Sequence, residues 1–446
     1  MAIPELADLT ALAARERLAR GEIGAVELTT ACLERIAQRD GEIGAWACID
    51  RDLALAQARA ADRQRQSGRA IGPLHGIPVG IKDIIDTADL PTENGTLIDA
   101  GRRPGSDAFV VAKLRAAGAV ILGKTVTTEC AFMAPSRTRN PLDPKRTPGG
   151  SSAGSAAAVA SAMVPLAIGT QTAGSVIRPA AYCGIVGFKP TFGLISRGGI
   201  LRHSQWLDTV GSFARTIEDA ALVADVLAGH DPADPDTRLA AAPKILELAQ
   251  SDPPVTPLLA FVKTPAWSAV EPDCAQGFAE LVEALGERCD TVELPAIYAE
   301  AAMAQRRLAL VGMAKHLRHY AERGRDSLAE ETRAGIAEGH TISGVDYLTA
   351  LDWRQVLYAG LEEIFRRYDA ILTQATAGEA PVGLGSTGSP AFCVLWTLTG
   401  VPAVTLPLLE GVNGMPVGVQ LVGPRGNDGR LLRTARWLQR TLQQAG

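Results

Sequence analysis

Long apolar runs are missing from this 446-residue chain. The nearest approach, residues 155–169, is broken by Pro165 and falls short of the roughly 20 apolar residues a bilayer-crossing helix needs, which excludes a membrane span. Residues 1–22, MAIPELADLTALAARERLARGE, carry charges throughout and lack the apolar core of a signal peptide, so no export is expected. Signs of disulfide or metal pairing are missing too. The seven cysteines, Cys32, Cys48, Cys130, Cys183, Cys274, Cys289 and Cys393, are odd in number, widely spaced and free of C-x-x-C pairs, a usage expected of reduced thiols in the cytoplasm. There is no basic stripe: 44 Lys and Arg against 49 Asp and Glu leave a net charge of −5, and the positive residues are scattered. That distribution argues against nucleic-acid binding and for small-molecule partners. Internal repeats and low-complexity tracts are absent as well.

What is present is a composition able to build a large core, 47% hydrophobic and 21% charged. Two helical patterns within 8–40 flank residues 21–24, and a third runs over 52–66 until Gly68 stops it. The texture then changes to short apolar runs bounded by glycine, at 77–81, 119–122, 164–169 and 184–188, which read as buried strands. Helices expected at 107–117 and from 155 alternate with them, an α/β layered pattern. A helix is expected from Thr216 to about residue 228, with Asp219 forming a near capping box, followed by a linker-like HDPADPDTR at 230–238. Residues 240–370 read as mainly helical, with strands at 258–262 and 291–294; strand texture returns at 370–373, 402–408 and 416–423 before a closing helix. The expected architecture is one continuous sheet interrupted by a mostly helical segment.

Several stretches carry possible chemistry. GAVILGKT at 118–125 fits the phosphate-loop pattern G-x-x-x-x-G-K-[ST], but its strand residues Val120, Ile121 and Leu122 lie inside the motif, where a phosphate loop places its turn. GSSAG at 150–154 fits the nucleophile elbow and nominates Ser152, yet none of the histidines that follow sits in a setting that marks a base. In LHGIPVGIKD, strand alternation places Lys82 on the face carrying Gly80. Burial there lowers a lysine's proton affinity toward the range of a general base, while the plainer reading ends the strand with a lysine paired to Asp83 or Asp86. In GTQTAGSVIRPAAYCG at 169–184, the small residues Thr172, Ala173, Gly174 and Ser175 either form an oxyanion pocket or are ordinary tight-loop residues.

Taken together, LHGIPVGIKDIID at 74–86, TPGGSSAGSAAAVA at 147–160 and GTQTAGSVIRPAAYCGIVGFKPT at 169–191 resemble the amidase signature family. Weaker matches at 119–132, 398–407 and 416–424 extend the resemblance over most of the chain. It implies a large mixed β-sheet covered by helices on both faces, as one domain over 1–446, with a signature core at 70–225 and a helical, substrate-side segment at 240–370. It also implies a Ser–cis-Ser–Lys triad: Ser175 as nucleophile, Ser151 as relay after a cis Gly150–Ser151 bond, and Lys82 as base. The N–H groups of Thr172, Ala173, Gly174 and Ser175 would form the oxyanion hole, and Ser152 would support the network. The activity implied is hydrolysis of a small-molecule amide to an acid and ammonia or an amine, with no cofactor or metal and with homodimers open. The alternatives are a glutamine-amidase subunit of an amidotransferase complex, or a urethane or ester hydrolase of the same family. Two departures stand out: Gln171 and Ala173 replace the more usual Asp and Gly of Asp-x-Gly-Gly-Ser, and Arg178 lies one place later than usual, as in malonamidase-like members. Arg178 is expected either to clamp a substrate carboxylate or to bind backbone carbonyls.

Overall fold

Alternation along the strands explains how one sheet holds two cores. In Leu259–Val262, Leu259 and Phe261 join an apolar cluster with Phe278 and Leu281, while Ala260 and Val262 join a second one with Ala304 and Leu308. Ala370 and Leu372 likewise face the first cluster and Ile371 the second, so both faces of the sheet are covered. The computed structural model describes residues 3–241 and 243–445.

Among these residues the strands are β1 Trp46–Ile49, β2 Pro78–Lys82, β3 Val120–Thr125, β4 Leu166–Gln171, β5 Val186–Lys189, β6 Thr209–Ala214, β7 Leu259–Val262, β8 Cys289–Val292, β9 Ala370–Gln374, β10 Ala403–Glu410 and β11 Pro416–Val422. They form one mixed sheet in the order β1-β3-β2-β4-β6-β5-β10-β11-β9-β7-β8. β2 pairs in parallel with β3 and β4, and β7 with β8 and β9; the other ladders are antiparallel. The mainly helical segment inserts between β6 and β9 but contributes β7 and β8 to the same sheet, so the sheet is continuous as expected. The helices begin where local chemistry says they should: Thr10 caps Ala11–Arg20 by accepting from Ala13 N, and Thr216 caps Ile217–Leu227 by accepting from Asp219 N.

Two strands escaped the sequence reading. β1 is a four-residue edge strand with a mixed burial pattern, and β6 contains Gly211 and Ser212 in a position buried between β4 and β5. The linker-like 230–238 needs correcting. Asp234 is fully buried and takes both the main-chain N–H and the guanidinium of Arg197, with Arg197 Nη2 to Asp234 Oδ1 at 2.6 Å, so this stretch is clasped into the body of the protein. Repeated Asp and Pro residues imitate a linker, but here Asp234 and Asp236 pair with Arg197 and Asp231 accepts from the Ser196 hydroxyl. As for the phosphate-loop pattern, its lysine, Lys124, lies within β3 and bonds the carbonyl of Ile85 and the hydroxyl of Thr92.

Candidate active site

Lys82 ends β2, fully buried between two parallel neighbours. Its Nζ lies 2.8 Å from Ser151 Oγ and 3.0 Å from Thr170 Oγ1, the latter on adjacent β4. The carboxylates that the plainer reading would give it are engaged elsewhere: Asp83 pairs with Lys124 at 3.4 Å and Asp86 with Arg102 at 2.7 Å. Burial pushes the Lys82 ammonium down to about 7, opposed only by the charge of Asp208. Near neutral pH this amine therefore divides its time between a proton-accepting and a protonated form.

Ser151 belongs to the turn leading into the helix Ala153–Ala160, and the Gly150–Ser151 peptide is cis. Gly149, at φ +82°, starts this turn, and any Cβ there would meet Pro179 Cα at 2.8 Å, so glycine allows the two site loops to touch. Ser152 does not face an external base. Its hydroxyl exchanges hydrogen bonds with the carbonyl and N–H of Thr170, at 3.2 and 3.3 Å, and so pins the cis turn to β4.

Ser175 sits on the turn that leaves β4 and enters the helix Ile177–Tyr182. Among the described residues its hydroxyl makes no hydrogen bond, and neither do the N–H groups of Thr172, Ala173, Gly174 and Ser175. The turn is held from outside instead. Thr172 Oγ1 donates to Asp208 Oδ1 at 2.7 Å, Gln305 donates to Thr172 O at 3.0 Å, and Thr397 Oγ1 donates to Ala173 O at 2.6 Å.

The two departures in this turn have structural partners. Gln171 Oε1 accepts from the N–H groups of Val176 and Ile177, an acceptor role open equally to a carboxylate, while its Nε2 donates to Thr397 Oγ1, a donor that an ionised carboxylate lacks. Ala173 has no positive φ, so its methyl group meets no backbone penalty.

Arg178 is buried beside this turn. Nη1 donates to Gly388 O at 3.0 Å, and Nη2 donates to Gly150 O at 2.7 Å and to Thr387 Oγ1 at 3.2 Å. The arginine thus bridges the cis turn to the 387–388 loop.

Among the participants not foreseen are Thr170, Asp208, Gln305 and Thr397. Only Thr170 left a trace in the sequence, because strand alternation from Thr172 places it on the same face two residues earlier. Asp208, Gln305 and Thr397 come from distant segments that no local pattern connects to the site.

A family profile described as Amidase matches residues 27–432. The chain belongs to the amidase family. Over 98% of this amidase-family chain and 97% of the relative, it is 38% identical to a glutamyl-tRNA(Gln) amidotransferase subunit from Chloroflexus aggregans. It is 50% identical to the corresponding protein of Chloroflexus aurantiacus, although that match covers 52% of the chain and spans only about half of the relative, 48%. Among solved structures, the peptide amidase of Stenotrophomonas maltophilia superposes with a TM-score of 0.86 at 31% identity, covering 99% of this chain and 98% of that one. A protein described in a study of a vestigial complex and the origins of an s-triazine catabolic enzyme superposes at 0.90 with 28% identity, covering 98% and 99%. The large mixed sheet of the amidase family is therefore the fold of this chain.

Proposed function

We propose that the protein hydrolyses the C–N bond of a small amide through an acyl-enzyme on Ser175. The observation that carries this reading is the fully buried Lys82, lowered to about 7, with no ion-pair partner among the described residues and in hydrogen-bond contact with Ser151. In its neutral form Lys82 accepts the Ser151 hydroxyl proton as Ser151 accepts that of Ser175, and Ser175 Oγ bonds to the amide carbonyl carbon. The electron pair moves to the carbonyl oxygen, facing the unengaged N–H groups of residues 172–175, where each donor contributes about 3–4 kcal/mol to the transition state. Collapse breaks the C–N bond, and the proton held by Lys82 returns through Ser151 to the departing nitrogen. Water then repeats the sequence on the ester, giving the acid and free Ser175.

Within this reading Arg178 is a positioning residue, since its three hydrogen bonds go to the protein's own loops. The mainly helical segment forms the substrate-side cover, supported by the contact of Gln305 with Thr172 O. The unbonded state of all seven cysteines supports a reducing, cytoplasmic setting. Among the described residues no helix is long and apolar enough to cross a membrane.

The test is covalent. A fluorophosphonate should label Ser175, as read by peptide mapping, and Ser175→Ala should lose both label and turnover; labelling at Ser152 would overturn the assignment. The full-length match to an amidotransferase component supports a second reading, in which the chain releases ammonia from glutamine for partner subunits. Glutamine hydrolysis that depends on added partner subunits, without turnover of simple amides, would select it.

A further inference from the structure

One buried histidine has no part in the acyl-transfer scheme. His203 is 4% exposed, and neither Nδ1 nor Nε2 has a hydrogen-bond partner among the described residues. Its ring stacks on Phe132 at 5.4 Å between centroids, and its own main-chain N–H donates to Asp208 Oδ2 at 2.8 Å, which fixes the residue in place. Together with Thr170, Thr172, Ala131 and Asp208 it lines a narrow cavity of about 10 Å³. That cavity adjoins the catalytic groups, since Thr170 is the hydroxyl that Lys82 bonds and Thr172 opens the turn carrying Ser175. Leaving two polar ring atoms unpaired in a protein interior is costly, and such atoms call for a partner.

The surroundings decide what kind of partner fits. Burial, with Lys82 and His316 nearby, pushes the imidazole down to about 3, so the ring stays neutral and offers one donor and one acceptor. The lining carries both signs of charge, Asp208 against Arg197 and Arg202 with Lys82 nearby, so an ion of either sign would meet a like charge, whereas an uncharged group meets none. The volume admits roughly one water-sized group. A hydroxyl meets all three conditions, because it is uncharged, small and able both to donate and to accept.

We propose that His203 is a specificity-determining residue, hydrogen-bonding a hydroxyl substituent on the acyl portion of the substrate. This rests on the reading in which Ser175 is acylated. In that complex the acyl chain runs past Thr172 toward Phe132, and the imidazole discriminates hydroxylated from purely alkyl acyl groups.

The experiment uses two isosteric pairs of primary amides, lactamide with isobutyramide and 3-hydroxybutyramide with 3-methylbutyramide. The value of kcat/KM is measured for the full chain, for His203→Leu and for His203→Gln. The native protein should prefer the hydroxylated member of at least one pair by about ten- to a hundredfold. His203→Leu should abolish that preference, and His203→Gln, which keeps a donor and an acceptor, should retain part of it. Because each preference is a ratio within one preparation, a lowered folded fraction cancels. Amide turnover with no hydroxyl preference in the native protein, or an equal preference in His203→Leu, overturns the His203 assignment alone. A lower Tm in His203→Leu with the preference intact also overturns it, since the ring would then serve only the fold. Absence of turnover for all four amides together with absence of fluorophosphonate labelling overturns the Ser175 reading, and this inference with it.

Discussion

Replacing Arg178 with alanine separates a substrate clamp from a structural bridge. The substitution leaves the Gly150 and Gly388 carbonyls and the Thr387 hydroxyl without their donor. Each buried acceptor stranded in this way costs about 1–3 kcal/mol, while removing a guanidinium that burial already disfavours returns part of that sum. A net loss of about 3 kcal/mol follows, or roughly 6 °C in Tm at the sensitivity of larger domains. Because Gly150 immediately precedes Ser151, the cis turn loosens and kcat falls for every substrate. The assay compares kcat/KM for malonamate, which carries a carboxylate, with that for neutral butyramide in the native protein and in Arg178→Ala, alongside thermal melts. Similar losses on both substrates together with a lower Tm are expected. A loss confined to malonamate, by tenfold or more and with Tm unchanged, would refute the bridge and make Arg178 the substrate's counter-ion.

Three further outcomes follow from the site. Activity should rise with pH through about 7 as Lys82 loses its proton, and because Asp208 opposes that shift, Asp208→Asn should move the midpoint of the kcat/KM profile to lower pH; a midpoint unmoved or raised would contradict the coupling. Lys82 has a folded-state value of about 7 against an unfolded value of 10.5, so above 7 the unfolded chain binds more protons and stability should climb with pH up to about 10. Urea midpoints between pH 6 and 10 should show a shallower climb in Lys82→Met, with part remaining because burial lowers Lys189 equally. Gly169→Ala would place a methyl group 2.6 Å from Ser152 Oγ and 2.7 Å from Phe213, forcing Ser152 away from Thr170; a drop in kcat of at least tenfold is expected, and native kinetics would show that the Ser152 link is dispensable.

The reading from sequence went furthest where one short segment contained both the pattern and its consequence. Period-two alternation in IPVGIK was enough to bury Lys82, and strand residues inside GAVILGKT were enough to set aside a phosphate loop. It stopped where meaning depended on distant partners. Arg178 looked equally suited to a substrate or to carbonyls, because its acceptors at Gly150 and 387–388 are brought to it only by tertiary folding. Gln171 read as a departure from an aspartate, yet its extra N–H finds Thr397, 226 residues away. The same limit explains the misread 230–238, whose Asp-Pro texture is linker-like until Arg197 is placed beside it. β6 was hidden for a related reason, since its glycine and serine are tolerated in a strand only because neighbours on both sides supply the pairing.

The clasp between the Ser175 turn and the helix Ala391–Leu398 also bears on the protein's synthesis. Thr397 holds Ala173 O across 224 residues of chain, and Gly388 holds Arg178 across 210. At translation speeds of about 5–20 residues per second, Ser175 leaves the ribosome roughly ten to fifty seconds before the segments that shape its turn. During that interval Lys82, Ser151 and Ser175 already exist as peptide but lack the frame that aligns them. On the proposed mechanism the nascent chain should therefore be silent toward the amides and peptides around it, with reactivity appearing only once residues 387–397 are delivered.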